Sequence, residues 1–317
     1  MPIRLLLVIS CVFGLLAVGS ARAQPSSPRD AAADPLSGPA PTGDHPPPRD
    51  YFLLRLAGDR TEIRYAPGAL DRAANLQTRL EMTARFYRKW TKIEIAPHIF
   101  VLTHDNWREA GYGVAYGLPI RIGAQGLAVP ALGDDETVAL WTALLDGHLP
   151  VVDGFLFRGT AQEAASLVLA DVLVQRAAGE MLVDRMDIRF EQPWMRELAV
   201  HLVTQAVQAR IEPGRVPVLD ALYLMLAQRH LPGTESVRDY RPDLPLADWL
   251  WFESQFHVGA RLVVARAGDK DAVKALRSLV KKGGGSLTLD GLLRRFEDLR
   301  DWLHQSFTAV SRRTDSR

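Results

Sequence analysis

Strand patterns and helix patterns occupy different parts of this chain. Short runs rich in β-branched and aromatic residues, typical of strands, occur between residues 51 and 134. From residue 135 onward, apolar residues recur at helical spacing, and glycine or proline separates one helical stretch from the next. Strands followed by helices are typical of an α+β fold. We therefore predict a small N-terminal mixed β-sheet with helices, followed by a mostly α-helical C-terminal half.

The same periodicity gives the individual elements. The strands are predicted at residues 51–56, 61–65, 93–102, 118–122 and 126–129. Pro97 suggests that the third strand lies at an edge or contains a bulge. The helices are predicted at residues 68–89, 135–146, 160–178, 194–210, 217–229, 246–267, 269–281 and 288–307, with Gly179 ending one of them. We expect a cleft between an α/β subdomain at residues 51–134 and a helical subdomain at residues 135–307.

The N-terminal residues have the pattern of an export signal. Arg4 supplies a positive start, residues 5–18 form an apolar run, and Ala21-Arg22-Ala23 is an Ala-x-Ala cleavage site. We therefore predict a signal peptide at residues 1–23 and an exported protein, periplasmic or secreted, with no membrane span after cleavage. An uncleaved anchor and lipoprotein processing at Cys11 are the alternatives.

Composition sets further limits. Eight of the 20 prolines lie within residues 24–50, which predicts a Pro-rich disordered linker there, and residues 308–317 are expected to form a disordered tail. Cys11 is the only cysteine, so the mature chain is expected to contain no disulfide and no cysteine-based metal site. The net charge of +1 lacks the basic excess of nucleic-acid-binding domains, so we expect no nucleic-acid partner.

One predicted helix begins with a recognisable motif, Pro193-Trp194-Met195-Arg196-Glu197-Leu198-Ala199. With the small strands before it and the helical stretches after it, this segment resembles the peptidase MA-like family of gluzincin (thermolysin-like) metallopeptidases. The resemblance covers residues 60–307. That family reads Pro-x-Trp-Leu-x-Glu-Gly-Leu-Ala at this helix, and its glutamate is the third zinc ligand. The resemblance therefore implies that Glu197 stands at a zinc-ligand position.

The resemblance also implies a preceding His-Glu-x-x-His helix, in which two histidines bind zinc and the glutamate activates a water molecule. The best counterpart is Gln162-Glu163-Ala164-Ala165-Ser166. Glu163 matches the general base, whereas Gln162 and Ser166 replace both imidazoles. An amide and a hydroxyl are poor zinc ligands compared with imidazole. We therefore expect a degenerate member of the family, without metal or another cofactor.

The leading functional interpretation is an exported pseudopeptidase that binds a peptide or protein in the cell envelope. The edge strand of the cleft, at residues 117–122 or 126–129, would pair with an extended peptide through backbone hydrogen bonds. Whether the protein is an enzyme, and in which oligomeric state it exists, stay open in the sequence.

Two alternative functions stay open as well. An active zinc-dependent peptidase would need histidines to converge on Glu197 and Glu163, and His201 is a weak candidate because it lies four residues after Glu197 on one helix face. The other histidines considered are His148 and His257. A structural or assembly protein of the envelope would use an exposed apolar patch. Such a patch could be formed by Trp249, Trp251 and Phe252, although we favour the core for these three residues.

Overall fold

The computed structural model describes residues 40–41, 45–49, 52–131, 140–141, 161–229, 236–279 and 286–304. For residues 161–167 and 228–229 it describes the backbone alone. Four expectations lie outside the described residues: the signal peptide, the tail at residues 308–317, His148, and the helix at residues 135–146 except for residues 140–141. All described residues belong to one compact unit, Pro35–Arg317.

A five-stranded mixed sheet forms the first half of the fold. Its strands follow the order β1-β2-β3-β5-β4, so β1 and β4 form its edges. β2, β3 and β5 are parallel, and each edge strand pairs antiparallel with its neighbour. The strands are β1 (Leu54–Ala57), β2 (Glu62–Tyr65), β3 (His98–Leu102), β4 (Ile120–Ile122) and β5 (Gly126–Pro130).

Two expectations about these strands are wrong. β3 lies in the middle of the sheet and not at an edge. It begins at His98, directly after Pro97. The proline therefore interrupts no ladder, and its C=O accepts a hydrogen bond from the N–H of Glu62 at 3.3 Å. β5 lies between β3 and β4, so residues 126–129 are not an edge. Of the two candidate edge strands, only β4 is one.

Helices make up most of the remaining described structure, and the predicted α+β class is confirmed. α4 lies at the centre, packed against α3, α6 and α7, and every side chain from Glu197 to Gln208 is buried. No helix among the described residues is long and apolar enough to cross a membrane. The helices are α1 (Leu70–Thr91), α2 (His104–Glu109), α3 (Ala161–Arg185), α4 (Pro193–Ile211), α5 (Val216–Arg229), α6 (Leu246–Ala267), α7 (Asp269–Ser278) and α8 (Leu289–Arg295), and residues 298–304 are also helical.

Gly179 lies inside α3 and does not end it. The sequence predicts a helix end at residue 178, whereas α3 continues to Arg185. A Cβ atom on Gly179 would lie 2.7 Å from Thr204 Oγ1 and 3.2 Å from Val203 Cγ2, both on α4. The absence of a side chain therefore allows α3 and α4 to approach closely.

The helix predicted at residues 288–307 is interrupted. α8 ends at Arg295, Phe296 has the non-helical angles φ −129° and ψ 79°, and helical structure resumes at residue 298. The break allows Phe296, Leu299 and Trp302 all to be buried in the core. Trp302 packs on α6, where a Cβ atom on Gly259 would lie 2.8 Å from its ring.

The end of the predicted disordered linker is packed against the fold. Ala40 and Pro48 are buried, and His45 forms a β-bridge with Ile122 of β4. The expectation of disorder is therefore wrong for residues 40–41 and 45–49. Composition predicts disorder when a segment cannot bury apolar surface by itself, but here the sheet edge provides a surface to pack on.

Candidate functional site

A buried group of charged side chains lies where α3, α4 and α6 meet. At its centre is Arg176 of α3, which is 6% exposed. Its guanidinium pairs with three carboxylates: Glu180 one turn further along α3, Glu197 of α4 and Glu253 of α6. Arg176 Nη2 lies 2.5 Å from Glu197 Oε2 and 2.9 Å from Glu253 Oε1. We call these four residues the Arg176 cluster.

Two further residues of α4 also make polar contacts with the cluster, and Arg121 of β4 lies 3.6 Å from Glu180 Oε2. Arg196 Nη1 donates a hydrogen bond to Glu197 Oε1 at 2.7 Å. His201 Nε2 lies 2.9 Å from Glu253 Oε2. Both carboxylate oxygens of Glu197 and of Glu253 therefore have nitrogen partners. The ring of Trp249 lies 5.3 Å from the guanidinium of Arg176, which adds a cation–π contact.

The protonation states in the cluster depend on one another. Burial alone would lower the pKa of Arg176, but the carboxylates of Glu253, Glu180 and Glu197 raise this pKa above its ordinary value. Burial alone would raise the pKa of Glu253, but Arg176 and His201 lower it. Burial raises the pKa of Glu197, and Arg176 opposes that rise only in part. The guanidinium is therefore the charge that favours ionised carboxylates inside the protein.

The zinc ion that the family resemblance implies does not fit this arrangement. A zinc site needs deprotonated ligands directed at one position that the ion can enter. In this chain the guanidinium of Arg176 lies between Glu197 and Glu253, and it cannot lose its proton in a protein. Among the described residues, no group of three or more His, Cys, Asp or Glu side chains is arranged to hold a metal ion.

The structure does not bring the predicted ligand positions together. Gln162, Glu163 and Ser166 lie in the first two turns of α3, where the backbone alone is described. The α3 residue that pairs with Glu197 is Arg176, and Asp184 of the same helix pairs with the neighbouring Arg196. Arg176 and its partner Glu180 are fourteen positions later than Gln162 and Ser166, respectively. Since a helix rises 1.5 Å per residue, this difference corresponds to about 21 Å along the axis. The structure therefore places Gln162 and Ser166 away from the point where α3 contacts Glu197.

The offset between the predicted positions and the observed contact with Glu197 has a simple geometric cause. Fourteen residues make nearly four turns of an α-helix, so residues 162 and 176 lie on the same face of α3. Helical periodicity identifies the face that is turned toward α4, but not the height at which the two helices contact each other. One signal was available: polar and charged residues (Asp171, Gln175, Arg176 and Glu180) recur within the otherwise apolar stretch from Val168 to Val183.

The histidines do not gather around Glu197. His201 contacts the cluster only through Glu253. His257 of α6 lies deeper in the helical half, with Nε2 2.8 Å from Asp220 Oδ1 and Nδ1 2.5 Å from Gln205 Nε2. Both ring nitrogens of His257 are therefore engaged away from Glu197. The described imidazoles thus do not form the set of ligands that an active zinc peptidase would need.

His257 makes the stability of the fold depend on pH. Burial lowers its pKa, and the nearby carboxylate of Asp220 reverses this only in part. Below the pKa of about 6.5 in the unfolded chain, the unfolded state binds a proton that the folded state does not. We therefore expect the free energy of unfolding to decrease as the pH falls from about 7 to 5. Urea denaturation at several pH values across this range should show that the free energy of unfolding changes less with pH in His257→Gln than in the parent chain. An equal pH dependence in the two proteins would contradict the assignment to His257.

A shallow groove that opens to solvent lies beside the Arg176 cluster. β4 and α3 form its two sides, and Arg121 of β4 connects them through an ion pair with Asp184 at 2.8 Å. The groove is lined by Pro41, Pro119, Arg121, Leu173, Arg176, Ala177, Glu180 and Trp249. A segment entering it would meet an edge strand, an apolar wall and the rim of a charged cluster.

The three aromatic residues near the start of α6 belong to the core, as favoured in the sequence analysis. Trp249, Trp251 and Phe252 are 1%, 4% and 0% exposed. An exposed anchor formed by these residues, the alternative interpretation, is wrong. The surface expected for the envelope-assembly function is therefore not present at this place.

Comparisons of the chain with protein-family models, with curated proteins and with solved structures found no match. The function must therefore be inferred from the residues and geometry of this chain.

Proposed function

We propose that this chain is an exported, metallopeptidase-like protein without catalytic activity, which binds a peptide or protein in the cell envelope. The observation that carries the proposal is the position of Arg176. Its guanidinium lies among the carboxylates of Glu180, Glu197 and Glu253, at the crossing of the two helices that would hold zinc in the family. In this proposal an internal cation takes the place of the metal.

The positions along α3 support this substitution. In the family, two histidines four residues apart face the glutamate of the next helix. Arg176 and Glu180 have the same spacing, and Arg176 contacts Glu197 directly. Ala177 follows Arg176 at the position of the general base, and a methyl group cannot accept a proton from water. The arrangement thus lacks both the metal ligands and the base that hydrolysis would require.

The binding part of the proposal is supported by the groove next to the cluster. The groove lies between the edge strand β4 and α3, the place where an extended peptide could add to the sheet. Loss of the metal would leave this mode of binding intact, because strand addition needs backbone hydrogen bonds and side-chain contacts alone. The N-terminal signal pattern supports a location in the periplasm or outside the cell.

The proposal is tested by metal analysis together with a peptidase assay. The chain from residue 24 is purified, incubated with excess zinc and desalted, and its zinc content and its cleavage of a fluorogenic protein substrate are measured. We expect no stoichiometric zinc and no cleavage that a chelator inhibits. Glu163→Gln and Glu197→Gln are assayed beside it. Stoichiometric zinc, or chelator-sensitive cleavage that either variant loses, would show instead that the protein is an active zinc peptidase.

A further inference from the structure

The chain's own N-terminal segment lies along the outer edge of the sheet. We call the described residues 40–41 and 45–49 the N-terminal strap. The N–H of His45 donates a hydrogen bond to the C=O of Arg121 at 3.2 Å, and His45 forms a parallel bridge with Ile122 of β4. Pro41 lines the groove beside the Arg176 cluster. The strap therefore covers the edge of β4 and forms part of the groove wall.

Further contacts hold both ends of the strap. Ala40 is 4% exposed, and its N–H lies 3.4 Å from the C=O of Leu244. The hydroxyl of Tyr112 donates a hydrogen bond to the C=O of Pro46 at 3.1 Å, and its ring lies edge-on to that of His45. Four of the seven described strap residues are proline, which has no N–H and a fixed φ. The strap is therefore held extended at a small cost in conformational entropy.

We infer that the outer edge of β4, beside the groove, is a binding site for an extended, proline-containing peptide, and that the strap occupies this edge within the same chain. The inference rests on the proposed function, to which it adds the class of ligand and the control of access. A peptide from a partner would pair with the same edge of β4, so it must first displace the strap.

The contacts indicate an occupant that can be displaced. Three described hydrogen bonds join the strap to the rest of the chain, and their lengths of 3.1 to 3.4 Å lie at or beyond the long end of the usual range. Its advantage over a free peptide is the covalent link, which gives a local concentration of roughly millimolar. The apparent affinity for a peptide in solution is therefore lower than the intrinsic affinity, because only molecules with a released strap can bind it.

The test uses the whole mature chain and a fluorescein-labelled peptide with the sequence of residues 38–49. His45→Pro removes the N–H that pairs with Arg121, so it should release the strap. Fluorescence anisotropy should then show that this variant binds the labelled peptide about tenfold or more tightly than the parent chain does. His45→Ala keeps the N–H and is the matched control, with an affinity close to that of the parent.

A second variant releases the other end of the strap. Ala40→Asp places a charge in a buried position beside Leu244. Like His45→Pro, it should increase the affinity for the labelled peptide above that of the parent chain. Circular dichroism verifies that each variant is folded. Equal peptide affinities for the parent and both release variants would overturn the control of access. If both folded release variants fail to bind the strap peptide, the inferred ligand class is wrong. The proposed function itself fails only if a panel of proline-free extended peptides also shows no binding.

Discussion

Replacing Arg176 with methionine is expected to lower the free energy of unfolding by about 3–5 kcal/mol. The substitution keeps an unbranched side chain of similar length but leaves the carboxylates of Glu180, Glu197 and Glu253 without their common partner. Arg176 and Glu253 are almost fully buried, so water cannot replace the lost contacts. Urea denaturation followed by circular dichroism measures the loss. A decrease below about 1 kcal/mol would show that the cluster is solvated like a surface ion pair.

Two companion variants separate burial from charge. Arg55→Met removes an ion pair with Glu62 in which Arg55 is 65% exposed, so it should cost no more than about 1 kcal/mol. Adding Glu197→Gln and Glu253→Gln to Arg176→Met should restore much of the stability, because neutral amides need no buried countercharge. Glu197 would keep Arg196 and Glu253 would keep His201, but loss of the buried guanidinium should still raise the pKa values of these carboxylates. The Arg176→Met variant alone should therefore become more stable as the pH falls toward those values.

Local sequence patterns were sufficient for the fold class and for several helices. The predicted helix at residues 246–267 has the same bounds as α6, and the one at residues 194–210 differs from α4 by one residue at each end. These stretches are bounded by glycine, proline and charged residues, whose effects act over a few positions. Apolar periodicity and end signals are both local properties, so one chain is enough to reveal them.

The candidate site depended on contacts that local patterns do not contain. Arg176 and Glu180 have the spacing of an ordinary ion pair on a helix surface. What makes them unusual is burial against Glu197 and Glu253, and Glu253 is 77 positions away from Arg176. Gly179 likewise has the sequence character of a helix end, and its role follows from the approach of α4 at Thr204. In each case a tertiary contact determines the role of the residue.

Introducing the His-Glu-x-x-His motif at Arg176 should create a zinc site. The triple substitution Arg176→His, Ala177→Glu and Glu180→His writes His-Glu-x-x-His opposite Glu197, which gives three protein ligands and a base. It also removes the guanidinium that excludes a metal ion. Added zinc should stabilise this variant by about 4 kcal/mol at a thousandfold excess over its dissociation constant. The parent chain should show no stabilisation by zinc.

The zinc content of two engineered chains tests the central claim most directly. The first carries the triple substitution, and the second carries Gln162→His and Ser166→His around Glu163, each with and without Glu197→Gln. We expect about one zinc per chain in the first, with affinity reduced about tenfold or more by Glu197→Gln. In the second chain, we expect Glu197→Gln to leave the zinc affinity unchanged. Zinc binding that depends on Glu197 in the second chain, and not in the first, would contradict the proposal that Arg176 takes the place of a metal ion.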